Sequence, residues 1–239
     1  MLLLLELWAM FAAGINWGNG GKTIFSLFTG DTSLILHGQL WRLFTAPLLH
    51  LPDGPGAVTH LVTTLLGLYF LGPSLEAKWG GWKFAGFLYG ASISGFVLQM
   101  LAELALPESL SANLHHPWFG AIGAVEAVAI AWALSFRGRQ IMLLFVLPVS
   151  SSVLVLVVVG MSLLRLLAAQ SIPEGVIAPF GAMLFGWIVG GGDRSPLRRL
   201  LLRRRLRSLG AQLSGTPSIE DDSDDDTDDP SSEHGRWMN

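Results

Sequence analysis

The stretch from Trp118 to Trp132 constrains the fold most, because it is apolar, rich in small residues and interrupted by one acid. Seven of its fifteen residues are Gly or Ala. Small residues add little side-chain volume to a core in water, but in a bilayer they let helix backbones pack closely. Glu126 lies in the middle of the stretch, where a charged group costs about 2.5–3.5 kcal/mol on membrane-insertion scales. The stretch therefore predicts a central membrane helix surrounded by other helices.

Charged residues are concentrated near the C-terminal end of the chain. The 239 residues are 51% hydrophobic and 14% charged, whereas soluble domains carry about 25% charged residues. Seven of the fifteen Lys and Arg lie within residues 194–207, and nine of the eighteen acids lie within residues 220–233. This distribution predicts a polytopic protein of the lipid bilayer. The absence of cysteine excludes disulfides, thiolate catalysis and Cys-ligated metal centres.

Six apolar segments come close to the roughly 17–25 residues that a spanning helix needs. Gly72-Pro73 predicts the end of the second segment. Pro148 predicts a kink in the fifth segment, where nearby serine hydroxyls bond to the carbonyl that proline leaves free. Lys and Arg favour the inner loops if the N-terminus is cytoplasmic. We therefore expect an all-α membrane domain over residues 1–192, with both termini cytoplasmic, in a plasma membrane of bacterial type. The predicted helices cover residues 2–17, 57–71, 82–104, 117–136, 141–167 and 175–191.

Two segments of opposite charge follow this membrane domain. Residues 193–213 predict a basic amphipathic helix on an anionic cytoplasmic leaflet, at about 1 kcal/mol per basic residue near the surface, and the same arginines help to set the topology. Residues 214–239 are acidic and are predicted to be disordered. Because this tail competes for the arginines, no nucleic acid is expected as a partner. The predicted lipid contacts are Arg198, Arg199, Arg203, Arg204 and Arg205.

Several short motifs match one family of membrane proteins in type, spacing and position. A Trp-Arg pair lies in the long apolar first outer loop, a Gly-x-x-Leu-Glu-x-x-x-Gly pattern ends the second segment, and Gly-Ala-Ile-Gly begins the fourth. Together these motifs resemble the rhomboid intramembrane serine proteases, over about residues 38–190. The resemblance implies a six-helix rhomboid-like bundle whose first outer loop is half-sunk in the membrane. Its structural positions are Trp41, Arg42, Gly72, Leu75, Glu76, Gly80, Gly123, Gly181, Gly186 and Gly190.

The two catalytic positions of the family hold unreactive residues in this chain. Ile122 occupies the place of the serine in the family's Gly-x-Ser-Gly pattern. Matching Gly181 and Gly186 to the glycines of the family's sixth helix places Pro179 where the catalytic histidine belongs. No histidine occurs between residues 117 and 233. Acyl transfer needs a nucleophile and a base within hydrogen-bond reach, and these positions supply neither.

The oxyanion-binding positions of the family are partly retained. The family's His-x-x-x-Asn pattern on the second helix is His60 and Thr64 here, and Gly120 precedes the nucleophile position. We expect Thr64 to be able to donate one hydrogen bond to the site. The prediction is therefore a rhomboid-like pseudoprotease that binds transmembrane segments of other membrane proteins without cleaving them. No metal or cofactor is expected.

Two alternatives stay open. A protease with an unrecognised dyad would need a serine to meet His60, and the candidates are Ser92, Ser94, Ser150, Ser151 and Ser152. A small transporter would need an aqueous path along Glu126, Gln99 and Glu103.

Glu126 lies one helical turn after Ile122, so we expect both to point in a similar direction. The simplest explanation of Glu126 is a neutral acid that hydrogen-bonds within the bundle, and the functional one is a polar hook for client helices or a protonatable site. The expected partners are Thr63, Thr64, Tyr69 or Gln99.

Overall fold

The computed structural model describes residues 22–50, 57–107, 116–143, 147–167, 173–191 and 196–214, and it is mostly helical. The predicted helix over residues 2–17 and most of the acidic tail lie outside these ranges. The helices are α1 Lys22–Phe28, α2 Thr32–Leu36, α3 Arg42–Thr45, α4 Ala57–Trp79, α5 Gly81–Ala105, α6 Ile122–Ser135, α7 Ser151–Leu167, α8 Ala178–Gly190 and α9 Pro196–Ser214. A short 3-10 turn, Ala46–Leu48, follows α3, and β1 Gln140–Leu143 pairs antiparallel with β2 Leu147–Ser150.

The apolar helices differ in length. Within the described ranges, α4 with 23 residues and α5 with 25 residues are long and apolar enough to cross a membrane. The other apolar helices, α6, α7 and α8, have 14, 17 and 13 residues. The sequence predicts longer segments for all three, because apolar residues also fill the turns that lead into them.

Helix α6 lies at the centre of the bundle, as the sequence predicts. Every residue from Gly123 to Ala133 is buried, and α4, α5, α7 and α8 all pack against this helix. Helix α8 approaches it most closely: a Cβ atom on Gly186 would lie 2.6 Å from the carbonyl oxygen of Ala127. This contact leaves room for glycine alone, so the small residues serve backbone-to-backbone packing.

Helix α4 continues past Gly72-Pro73, so the prediction that it ends at residue 71 was wrong. Leu75 is fully buried, and the backbone at Gly72 lies against the ring of Phe84 on α5. This packing holds the last two turns in place although proline removes one N–H donor. The chain then reverses at Gly80, whose φ is +86°.

The segment predicted as the start of the fifth helix contains two paired strands. Strands β1 and β2 run antiparallel, with Pro148 opposite Met142, so the expected proline kink was wrong. Proline lacks an N–H and is tolerated where a strand has a free edge. Ser150 then accepts a hydrogen bond from the Val153 N–H at 3.4 Å. The serine run therefore begins α7 instead of repairing a kink.

The Trp-Arg pair organises the first loop. Arg42 is 3% exposed, and its guanidinium donates to the carbonyls of Ser26 and Thr29, both at 2.6 Å, and to the amide oxygen of Gln39 at 2.7 Å. Trp41 is half exposed. The arginine thus ties the C-terminal end of α1 to the turn before α3.

We expect Arg42→Ala to destabilise the fold by at least about 4 kcal/mol, since it removes three hydrogen bonds to a charged group and each is worth roughly 1.5–3 kcal/mol. Arg42→Lys should recover only part of this loss, because an ammonium group cannot reach three separate acceptors in the same geometry. Unfolding of the purified protein in mixed micelles measures the effect. Lys83→Ala, at an exposed position, is the control, and an equal loss in both variants would contradict the role of Arg42.

Candidate functional site

The structure brings the two catalytic positions of the resemblance together. Ile122 is the first residue of α6 and Pro179 is the second residue of α8. A Cβ atom on the neighbouring Gly123 would lie 3.8 Å from the Cα atom of Pro179. The start of α6 therefore packs against the start of α8 through Gly123, and the side chains of Ile122 and Pro179 supply no nucleophile and no base.

Gly120 forms the tightest point of the site. Its φ is +113°, and its N–H donates to the carbonyl of Ala46 at 2.9 Å. A Cβ atom here would lie 2.4 Å from a carboxylate oxygen of Glu174 and 3.0 Å from Nε2 of His60. Both the backbone conformation and the lack of space require glycine.

The first loop is anchored beside this glycine. Trp118 and Gly30 exchange two backbone hydrogen bonds, at 2.8 and 2.9 Å, and the fully buried Trp118 ring stacks on Phe96 at 4.4 Å between centroids. These contacts fix the loop of α1–α3 against the residues that precede α6.

Glu174 is the site residue that sequence analysis missed. It lies in the turn before α8 and is 2% exposed. Its Oε1 atom accepts a hydrogen bond from His60 Nε2 at 2.6 Å and lies 3.4 Å from the donating N–H of Ile122. The carboxylate therefore occupies the point where the retained histidine and the backbone amide of the nucleophile position converge.

Two further polar groups complete the surroundings of His60. The ring of His50 lies 5.4 Å from the His60 ring in a T-shaped arrangement, and burial lowers the pKa of His50 below its ordinary value. His50 is therefore neutral at pH 7. Thr64 donates its hydroxyl proton to the carbonyl of His60 at 3.0 Å. The expectation that Thr64 donates into the site was wrong, because its own helix already uses the hydroxyl.

A buried polar network positions the turn that carries Glu174. The side-chain oxygen of Gln99 accepts from the Ile177 N–H at 2.9 Å, and its amide nitrogen donates to Glu103 at 3.0 Å. Thr32 of the first loop donates to the other oxygen of Glu103. Gln99 therefore belongs to a network that joins α5, the first loop and the start of α8.

Glu126 belongs to a different network. Glu126 and Gln99, which the sequence analysis groups as one polar site, therefore bond to different elements. Its Oε1 atom accepts from the Ser162 hydroxyl at 2.9 Å and from Arg165 at 3.3 Å, both on α7. The expected partners on α4 and α5 were wrong. Because α7 begins ten residues later than predicted, its second half brings this serine and arginine to the middle of α6.

The space between the helix starts is a small, mostly apolar cavity. Ser92 and Glu174 contribute its polar groups. Over the ranges that the structure describes, no group of three or more His, Asp or Glu side chains has the arrangement of a metal site. The cavity is lined by Ser92, Gly95, Phe96, Gly120, Gly123, Ala124, Glu174, Ala178 and Ala182.

Comparison with known proteins identifies the family. The family model described as the Rhomboid domain matches residues 37–194. The chain is 27% identical over 132 residues to "Rhomboid protease GluP" of Bacillus subtilis (strain 168), a match that covers 55% of this chain and 24% of that protein. It is 33% identical over 112 residues to "Rhomboid-like protease 3" of Toxoplasma gondii, covering 46% of this chain and 40% of the relative.

A third relative, "RHOMBOID-like protein 12, mitochondrial" of Arabidopsis thaliana, is 25% identical over 142 residues, covering 56% of this chain and 41% of its own length. The chain thus matches between about a quarter and two fifths of the length of these relatives. Because the family model covers more than half of the chain, this protein belongs to the rhomboid family and is an integral membrane protein.

Proposed function

We propose that this rhomboid-family protein binds transmembrane segments and does not cleave them. The observation that carries the proposal is the carboxylate of Glu174 between His60 Nε2 and the Ile122 N–H. In an acyl-transfer site, donors at these positions stabilise the negative oxygen of the transition state. Here a carboxyl group of the protein itself already uses them. The positions of the family's nucleophile and base thus hold unreactive residues, and these two oxyanion donors are occupied.

The bundle retains the features of a protein that meets lipid and other helices. The outer surface of α7 is exposed and apolar, with Leu156 and Leu167 more than 70% exposed. The first loop likewise exposes Leu40, Trp41 and Phe44, side chains suited to a membrane interface. We infer six spans, a first outer loop partly immersed in the outer leaflet and both termini in the cytoplasm, and the clients are helices that enter from the bilayer.

Incubation of the purified protein with a generic rhomboid transmembrane substrate tests this function. We expect no cleavage and no labelling by a fluorophosphonate probe, but we expect crosslinking between the intact substrate helix and a photoreactive group placed on α7. The same group on exposed Lys83, at the opposite end of the bundle from the site in our topology, is the control. Cleavage by the native chain would overturn the proposal, and so would equal crosslinking from both positions.

One observation favours a second candidate, a protease with an unrecognised nucleophile. Ser92 is buried in the cavity that Glu174 also lines, and Glu174 already pairs with His60. Ser94 and Ser150 have other roles, since Ser94 donates to the Gly181 carbonyl and Ser150 caps α7. If the native chain cleaves substrate and Ser92→Ala abolishes the cleavage, the second candidate is correct.

The transporter alternative gains no comparable support. It requires a continuous polar path along three residues, and Glu126 bonds to α7 whereas Gln99 and Glu103 bond to the first loop and the start of α8.

A further inference from the structure

Helix α9 carries a strongly positive, exposed surface. Its nineteen residues include six arginines and no acid, and all side chains from residue 199 to residue 209 are exposed. Arg199, Arg203 and Arg207 follow one another at intervals of four and so form one row along the helix. Like charges at this spacing repel each other. The row is therefore stabilised when anions neutralise it.

A row of leucines runs beside the arginine row. Leu202, Leu206 and Leu209 are 47%, 67% and 48% exposed, and their spacing of four and three places them on one side of the helix. Exposed leucine in water is unfavourable. An apolar row flanked by cations is the pattern of helices that lie in the interface plane of a membrane.

The chain keeps this surface close to the bilayer. Five residues separate the end of α8 at Gly190 from the start of α9 at Pro196, so the two ends are at most about 21 Å apart. The end of an apolar helix such as α8 lies near the membrane surface. The first arginines of α9 are therefore held within a short distance of lipid headgroups.

We propose that α9 lies on the membrane surface and binds anionic phospholipids, with the arginine row on headgroup phosphates and the leucine row in the acyl boundary. A guanidinium group donates two parallel hydrogen bonds to a phosphate. A zwitterionic surface also offers phosphates, but it has no net negative charge. Residues 220–233 of the same chain contain nine acids, which compete with lipid for the arginine row. The inference does not depend on whether the bundle cleaves its clients.

The absence of cysteine permits a direct test on the full chain. A fluorophore on Leu209→Cys reports the depth of α9 in nanodiscs that contain a lipid with a quencher near the headgroup. We expect severalfold stronger quenching in nanodiscs of mixed phosphatidylcholine and phosphatidylglycerol than in phosphatidylcholine alone, and we expect high salt to remove the difference. Arg203→Gln with Arg207→Gln should abolish it. Arg137→Gln with Arg139→Gln, which removes the same charge from an exposed turn, should retain it.

Equal quenching in the two lipid compositions, or none in either, would overturn the proposal. A third result would also do so. In this experiment the chain ends at residue 219 and the fluorescence is measured in neutral nanodiscs. If it changes by as much as the arginine substitutions change it in anionic nanodiscs, the acidic segment occupies α9 and lipid does not.

Discussion

The variant Ile122→Ser, Pro179→His is expected to remain inactive, whereas the addition of Glu174→Ala to it gives measurable cleavage. The double variant regains a nucleophile at the start of α6 and a base at the start of α8, the two positions that the family resemblance assigns to them. However, Oε1 of Glu174 still lies 2.6 Å from His60 Nε2, so this donor is occupied when the negative oxygen of a transition state needs it. Loss of one oxyanion donor costs about 10²–10³ in kcat. The triple variant should exceed the double variant by at least this factor.

Two measurements distinguish obstruction of the site by Glu174 from a wrong assignment of residues 122 and 179. Substrate cleavage in detergent or nanodiscs measures the whole reaction, and fluorophosphonate labelling reports the serine and base alone. Glu174→Ala on the native background should cleave nothing, because it restores no nucleophile. Equal activity of the double and triple variants would show that the carboxylate does not obstruct the site, and an inactive triple variant would refute the assignment of residues 122 and 179.

Gly120→Ala is expected to destabilise the protein by about 2–5 kcal/mol. A φ of +113° costs an L residue roughly 1–2 kcal/mol. The added methyl group also has to displace the Glu174 carboxylate, which lies 2.4 Å from its position, and overpacking typically costs about 1–3 kcal/mol. Unfolding of the purified variants in mixed micelles gives the total.

A matched variant isolates the second contribution. Gly138 has a φ of +78° but nothing within 4 Å of the position that a Cβ atom would take, so Gly138→Ala carries the backbone cost alone. Adding Glu174→Ala to Gly120→Ala should remove the cost of crowding, and the double-mutant cycle should show coupling of about 1–3 kcal/mol. Equal costs at Gly120 and Gly138, without coupling, would refute the contact between the glycine and the carboxylate.

The sequence predicted the features that repeat along a helix or lie within one motif. The central place of the small-residue helix α6 follows from spacing, and membership of the rhomboid family follows from the motifs. Proline was interpreted less well, because the same residue can end a helix, kink it or sit in a strand. Packing around Leu75 decided the outcome at Pro73, and pairing with residue 142 decided it at Pro148.

Glu174 could not be predicted from its surroundings in the sequence. Its partner His60 is 114 positions away, and a single acid beside an apolar segment resembles any solvated loop residue. Three-dimensional proximity alone gives it a role. Glu126 illustrates the same limit: its position in a helix showed that it needed partners, but the start of α7 determined which partners it could reach.

The shortness of the helices on both sides of the site has a consequence for the surrounding lipid. At a rise of about 1.5 Å per residue, the 14 residues of α6 and the 13 of α8 rise about 21 and 20 Å, some 10 Å less than a hydrocarbon core of roughly 30 Å. Helix α6 is buried within the bundle, whereas α8 exposes Leu184 and Trp187. Lipids beside α8 meet this mismatch by shortening or tilting their chains, at a cost that grows with each ångström. A client helix of ordinary length then finds less hydrocarbon beside this protein than elsewhere. In the function proposed above, local membrane thickness can therefore act as a selector of clients, and this selection requires no chemistry at the site.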